Sequence, residues 1–308
     1  MQSSETIEVQ SRQLSNFIGV LIPCYNEENR IAGVIAKCQK VATAIYVCDD
    51  GSTDMTAEIA SKMGATVLRH KKNLGYGAAL RTLFDTAADS NLKVVVTLDG
   101  DGQHDPEYIQ KLAKPIIENS ADLVIGSRFS KAVQKDGVPS YRKFGVKLIT
   151  AATNLTSALN IKDAQSGLRA YDVRVLRNIM PTESGMSAST EILMKASENR
   201  MRVSEVEVKI DYHEDSSSEN PLKQGATVLF GIFKQYSLRH PLIFYGIPGL
   251  VSTIFATVFW GLLARDFTIA HTIQTNFAIF AIGFSIVAAV LVNTAIMLWT
   301  IINLVQSR

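Results

Sequence analysis

Short apolar runs alternate with amphipathic stretches from Phe17 to about Val208, and beyond His240 the pattern changes to two long segments without charge. The runs at residues 17–22, 45–48, 66–69, 94–98 and 123–126 read as strands. Between them the spacing predicts helices. One runs from an Asn26 N-cap, with Glu27 and Glu28 in its first turn, to about Lys40; others end near Lys62, cover 75–88 and cover 106–118. This β-α-β-α order predicts an α/β fold with a mostly parallel sheet covered by helices. Ligands of such sheets bind outside the carboxyl ends of the strands. The acidic segments after the first, second and fourth strands all fall there, which argues for one shared site.

After Val208 the pattern breaks at a polar loop, 213–221. Residues 225–239 can form a helix with Val228, Leu229, Ile232, Phe233 and Tyr236 along one side, suited to a membrane surface or to a core. Residues 242–264 and 277–305 carry no charge and are long enough to span a bilayer core of ~30 Å. Trp260 and Trp299 are expected near the interfaces, and Gly246, Pro248 and Gly249 allow a kink or close helix packing. Lys223, Lys234 and Arg239 before this hairpin and Arg308 after it outnumber Arg265 in the linker, which predicts a cytoplasmic N-terminal part. The expected divisions are an arm, 1–16, an α/β domain, 17–224, an interfacial helix, 225–240, and a two-span hairpin, 241–308.

Composition adds exclusions. A net charge of +2 points to neither nucleic acid nor an acidic tail as partner. The 47% hydrophobic content is high, and its excess lies beyond His240. Cys24, Cys38 and Cys48 are odd in number, lack C-x-x-C spacing and fall in or beside apolar elements, as reduced core thiols do.

The strongest chemical signal is Asp99-Gly100-Asp101-Gly102-Gln103-His104 at the end of the fourth strand. Two carboxylates and an amide oxygen on a tight, glycine-bearing turn suit a hard divalent cation such as Mg²⁺ or Mn²⁺. Standing alone, such a turn is as often a solvated loop. Glu27 and Asp50, at neighbouring strand ends, can accept hydrogen bonds from a nucleobase or ribose, and Tyr25 or Pro23 can pack on a base. Asp49 can hold its loop by accepting from backbone amides. Gly75 and Gly77 permit close backbone approach at a helix start, to a diphosphate or simply at an entry turn.

Together Pro23-x-Tyr25-Asn26-Glu27, Asp49-Asp50-Gly51-Ser52-x-Asp54, Asn73-x-Gly75-x-Gly77 and Asp99-x-Asp101-x-Gln103-His104 resemble the inverting family-two glycosyltransferases of GT-A fold. More narrowly, residues 17–240 resemble the polyprenol-phosphate sugar synthases related to dolichol-phosphate mannose synthase, and two C-terminal spans are frequent in that group. The resemblance implies that Asp99, Asp101 and Gln103 hold Mg²⁺ or Mn²⁺ on a sugar-nucleotide diphosphate, with Asp99 nearer the nucleotide. It implies that Pro23, Tyr25, Glu27, Asp50, Gly75, Asp99 and Arg169, the last in Ser166-Gly167-Leu168-Arg169, line the nucleotide-sugar pocket. Arg128, after Gly126-Ser127, and Arg142 would grip the lipid phosphate, so that Asp101, Arg128 and Arg142 carry the transfer.

The loop 212–223 departs from the mannose synthases. It has His213-Glu214-Asp215 and Asn220-Pro221-Leu222-Lys223, which resembles archaeal members more closely, with Lys223 a candidate phosphate ligand and His213 a weaker candidate. The implied reaction moves a hexose from GDP-mannose or a UDP-sugar (glucose or GlcNAc) to dolichyl or polyprenyl phosphate at the membrane. A different lipid acceptor is the nearest alternative. The chain shows no Gln-x-x-Arg-Trp element of a processive synthase. A sugar-nucleotide-binding membrane protein without turnover is the alternative of another class. The spans are compatible with a homo-oligomer and count no subunits.

Overall fold

The computed structural model describes residues 17–128, 140–157, 159–209, 230–234, 236–238, 240–271 and 273–306. The expected arm 1–16, the loop 212–223 with His213 and Lys223, and most of the helix 225–239 lie outside the described residues, as does the side chain of Arg142. The chain separates into two compact units, Met1–Ile232 and Phe233–Arg308.

In the first unit the strands are β1 (Ile18–Cys24), β2 (Ala44–Asp49), β3 (Thr66–Arg69), β4 (Val94–Thr97), β5 (Leu123–Ser127), β6 (Arg169–Asp172) and β7 (Val203–Glu207). The helices are α1 (Ile31–Cys38), α2 (Thr56–Lys62), α3 (Tyr76–Ala88), α4 (Tyr108–Ile117), α5 (Ser140–Ser157) and α6 (Ala188–Glu198), with a 3₁₀ segment at Val173–Ile179. They build a seven-stranded sheet in the order β3-β2-β1-β4-β6-β5-β7. Each of β1, β2 and β4 is buried on both faces, so its apolar run is nearly unbroken. Alternate residues still divide between two cores. Val20, Ile22, Val47 and Val96 meet α1 and α4 through Ile31, Ile35, Ile109 and Leu112. Leu21, Val95, Leu123 and Ile125 meet α3 and α6 through Leu80, Leu83, Phe84 and Ile192.

Two strands escape the apolar-run criterion. β6 is the four-residue Arg169-Ala170-Tyr171-Asp172, and β7 is Val203-Ser204-Glu205-Val206-Glu207. β6 lies antiparallel between β4 and β5, pairing Thr97 with Arg169 and Ile125 with Arg169. The other pairs, β7 on β5 included, are parallel. The first helix also differs from expectation. Asn26 takes a left-handed backbone (φ 56°), and the helix proper begins at Ile31 without a side-chain cap.

In the second unit a π-helical turn, Leu242–Gly246, leads into α7 (Ile247–Ala270), followed by α8 (Thr275–Gln306). The stretches Leu242–Ile269 and Thr275–Leu304 are long and apolar enough to cross a membrane. Gly249 allows the two helices to pack closely, since a Cβ there would lie 2.9 Å from Val292 Cγ2. Phe255 and Phe259 stack on Phe284 and Phe280 further along. Trp260 lies near the middle of α7 and donates to Ser285 Oγ of α8 at 3.2 Å. It is a contact between the two helices.

Candidate active site

The loops after β1 and β2 are laced together by the polar residues of their own motifs. Asn26 Oδ1 accepts from Thr53 N (2.9 Å), and Ser52 Oγ accepts from Asn26 N (2.9 Å). Thr56 Oγ1 accepts from Glu27 N (2.8 Å), Asp54 Oδ2 from Glu28 N (3.2 Å), and Glu28 Oε2 from Met55 N (3.0 Å). Asn26 is therefore a clamp to the neighbouring loop and not a helix cap. Asp49 accepts from Ser52 N at 3.2 Å and pairs with Arg69 Nε at 3.1 Å. Tyr25 and the Glu27 carboxylate take no part in that lacing. Tyr25 is 44% exposed. Glu27 is half-buried and paired with Arg30 (3.2 Å); burial pushes its carboxyl up, and Arg30 offsets part of that. Pro23, by contrast, is buried within β1 opposite Cys48, so Tyr25 is the ring that can meet a base.

Asp50 is 4% exposed, and its carboxylate is heavily engaged. Oδ1 accepts from Leu74 N (2.9 Å) and faces His70 Nδ1 (2.6 Å), while Oδ2 accepts from Gly75 N (2.7 Å). The amide of Gly75 is thus already committed. Its φ of 96° and the Ser184 carbonyl packed where a Cβ would stand explain the glycine without a diphosphate. A Cβ at Gly77 would overlap the Glu183 carbonyl, and Gly77 N donates to Ser184 O at 2.7 Å. Both glycines seat α3 under the 182–184 loop. Glu191 holds that loop by accepting from Thr182 N (2.9 Å) and Glu183 N (2.9 Å). Arg81 adds donors to the carbonyls of Pro181 and Thr182, each at 2.7 Å.

At the end of β4, Asp99 and Asp101 stand close enough for their charges to interact. Burial pushes the Asp101 carboxyl up, and the Asp99 charge adds to the rise. Asp101 Oδ1 accepts from Gln103 N (3.0 Å), closing a tight turn in which Gly102 has φ 73°. His104 places Nε2 3.4 Å from Asp99 Oδ2, and its buried Nδ1 has no hydrogen-bond partner among the described residues. Gly167 presses on the same carboxylate, since a Cβ there would lie 2.5 Å from Asp99 Oδ2. Thr97 Oγ1 fixes that turn through a 2.8 Å bond to Gly167 O. Among the described residues no three His, Cys, Asp or Glu side chains surround one point. Two mutually repelling carboxylates beside Gln103 nevertheless form an oxygen donor set that fits Mg²⁺ or Mn²⁺ sharing its coordination with substrate phosphates and water.

The arginines divide by environment. Arg128, just after β5, forms a two-pronged pair with buried Asp163: Nε to Oδ2 at 2.6 Å and Nη2 to Oδ1 at 2.8 Å. Burial pushes the Asp163 carboxyl up, but the Arg128 charge and hydrogen bonds outweigh it and hold it low. Arg169 is 2% exposed and donates to Ser189 O and Ala164 O, each at 2.8 Å. It ties β6 to α6 from inside.

Comparison with known proteins places this geometry. The family described as glycosyl transferase family 2 matches residues 19–180. The chain belongs to that family. An uncharacterized protein of Methanocaldococcus jannaschii is 32% identical over 75% of this chain and 98% of its own length. A UDP-N-acetylglucosamine–dolichyl-phosphate N-acetylglucosaminyltransferase of Methanococcus voltae is 30% identical over 72% of this chain and 94% of its own. The fold matches glucosyl-3-phosphoglycerate synthase of Mycobacterium tuberculosis, solved with Mn²⁺, UDP and product, at TM-score 0.59 and 19% identity over 75% of this chain and 83% of that one. This is the GT-A fold.

Within this family 2 glycosyltransferase, the sheet's carboxyl edge gathers Tyr25, Glu27, Asp50, Asp99 and Asp101. His70, Thr82 and Glu191 act behind that edge and carry no sequence signal, because their partners are 8 to 20 residues away in the chain. Gly167 could have been suspected from the Ser-Gly-x-Arg spacing, although its contact with Asp99 could not.

Proposed function

We propose that this enzyme transfers a hexose, with inversion, from a nucleoside-diphosphate sugar to dolichyl or a related polyprenyl phosphate at the cytoplasmic face of a membrane. The observation that carries the reading is the Asp99–Asp101 pair at the carboxyl end of β4 in a chain that also has two membrane-length helices. Residues 17–224 would form the catalytic domain, 225–240 an interfacial helix and 241–308 the membrane hairpin.

Tyr25, Glu27 and Asp50 line the nucleoside side. Asp99, Asp101 and Gln103 would hold the divalent cation, which supplies charge neutralisation for the departing diphosphate. Arg128, braced by Asp163, offers a planar guanidinium for the lipid phosphate, with Arg142 and Lys223 as further phosphate partners. A phosphate acceptor is anionic at neutral pH and needs no strong general base. Catalysis then rests on positioning and electrostatics. The Methanococcus relative supports a UDP-sugar donor, and a dolichol-phosphate mannosyltransferase of Pyrococcus furiosus, 31% identical over 68% of this chain and 60% of its own length, supports a mannosyl donor.

The test incubates purified protein with dolichyl phosphate, Mg²⁺ or Mn²⁺ and a panel of UDP- and GDP-sugars, reading the lipid product by mass spectrometry. One donor is expected to yield a hexosyl or N-acetylhexosaminyl phosphodolichol, and Asp101→Ala to abolish it. No lipid product from any donor would refute the acceptor assignment. Full transfer by Asp101→Ala would refute the metal site.

A further inference from the structure

Behind Asp50 runs a chain of buried polar contacts that the transfer reaction does not itself require. His70 follows β3 at the carboxyl edge of the sheet and is largely buried, its side chain 12% exposed. Its Nδ1 lies 2.6 Å from Asp50 Oδ1 and its Nε2 2.9 Å from Thr82 Oγ1 on α3, with Cys48 Sγ at 3.7 Å. An ionised carboxylate only accepts, so Nδ1 carries the proton and Nε2 meets the Thr82 hydroxyl. The ring is therefore held at both ends, between the strand edge and the helix.

The consequence falls on Asp50. An ionised carboxylate has about four acceptor positions. Leu74 N, Gly75 N and His70 Nδ1 occupy three of them. Three fixed donors leave the carboxylate one orientation, and one acceptor position remains for an outside donor. Gly51 presses the β2 loop against the Lys72–Asn73 backbone, where a Cβ would lie 2.5 Å from the Lys72 carbonyl carbon. The Leu74–Gly75 turn is thereby confined from that side as well. Without His70, Asp50 keeps only the two amides of the Leu74–Gly75 turn, and α3 loses the link that Thr82 makes to the strand edge.

We propose that His70, braced by Thr82, is a positioning residue for donor recognition: it fixes Asp50 so that its remaining acceptor position meets a nucleobase ring N–H, such as uracil N3–H or guanine N1–H. The inference rests on the nucleoside-side assignment of Asp50 made under Proposed function. His70 touches no reacting atom, so its effect belongs to donor binding and not to the chemical step.

The experiment measures UDP and GDP binding by calorimetry on the full-length protein with Mn²⁺, together with steady-state transfer kinetics. His70→Ala is expected to weaken binding of the preferred nucleotide and raise the donor KM by roughly tenfold or more, the effect of losing a hydrogen bond to a charged group. The kcat at saturating donor and the KM for lipid phosphate should move by less than about threefold. Thr82→Val, which keeps His70 and cuts only its outer bond, should shift the donor KM the same way by a smaller factor, and it serves where His70→Ala does not fold. In the double variant the Thr82 effect should vanish, because it acts through His70. Unchanged nucleotide affinity in both single variants, with wild-type protein binding the nucleotide, overturns this inference alone. Equal losses in kcat and in both KM values also overturn it, since they mark general damage. Wild-type protein that binds neither nucleotide overturns the functional reading beneath it.

Discussion

Replacing Gly167 by alanine separates the stability of the fold from the geometry of its site. The added Cβ would stand 2.5 Å from Asp99 Oδ2, 2.9 Å from Oδ1 and 3.0 Å from Cγ. Ordinary van der Waals contact needs roughly 0.5–1 Å more. The obstacle is the end of a side chain, so the cheapest relaxation turns Asp99 away and leaves the backbone alone. An off-rotamer carboxylate costs about 0.5–1.5 kcal/mol, a loss of only a few degrees in Tm for a domain of this size. The same displacement moves a proposed metal-binding carboxylate by roughly 1 Å, and misplacements of that size cost on the order of 100-fold in rate. That is about 2.7 kcal/mol of barrier. Gly185→Ala is the control, because a Cβ there meets nothing within 4 Å among the described residues. The assay pairs thermal unfolding with transfer rates across a Mn²⁺ titration. Gly167→Ala should melt within a few degrees of the parent, lose most activity and need more Mn²⁺. Activity within twofold of the parent at unchanged Mn²⁺ requirement would refute the placement of Asp99 in the site.

Gly77→Ala should behave in the opposite sense: its Cβ meets the Glu183 carbonyl, a backbone atom that cannot swing aside, so a loss of roughly 2–4 kcal/mol in stability is expected from denaturant unfolding. Asp163→Asn removes the anion facing Arg128 and should cost about 3 kcal/mol near neutral pH. Because the folded-state carboxyl of Asp163 is held low, its contribution is present above the ordinary carboxylate range and fades as pH falls below about 4. The stability gap between parent and Asp163→Asn, followed by melting across pH, should therefore close on acidification. The three cysteines are buried, and burial raises their thiols, Cys38 and Cys48 to about 12 and Cys24 further. A maleimide at pH 8 should leave the native protein unlabelled and label it only after denaturation.

The strands of the first half and the two long apolar helices were legible in sequence because each is written as a local apolar run. β6 and β7 were not, since neither carries such a run and each is made a strand by what it lies beside. Local pattern also misplaced Asn26. It looks like a helix cap, whereas its hydrogen bonds go to a loop 26 and 27 residues further on. The site divided in the same manner. Asp99 and Asp101 follow directly from the end of an apolar strand. Arg169 and Gly75 match a family spacing, yet burial and existing partners give them structural work. His70 and Gly167 acquire their importance only from neighbours that folding brings in.

The lacing of the β1 and β2 loops divides a single short motif into two kinds of letter. Asn26, Ser52, Asp54 and Thr56 spell out the rigidity of the rim by bonding to one another across the two strands. Tyr25 and the carboxylate of Glu27 stand clear of that stitching and can be rewritten without unpicking it. A change of nucleoside preference in this lineage is therefore expected to be written at the free positions, while the stitched ones stay fixed whatever base is bound. The rim works as a typeset line with two loose characters.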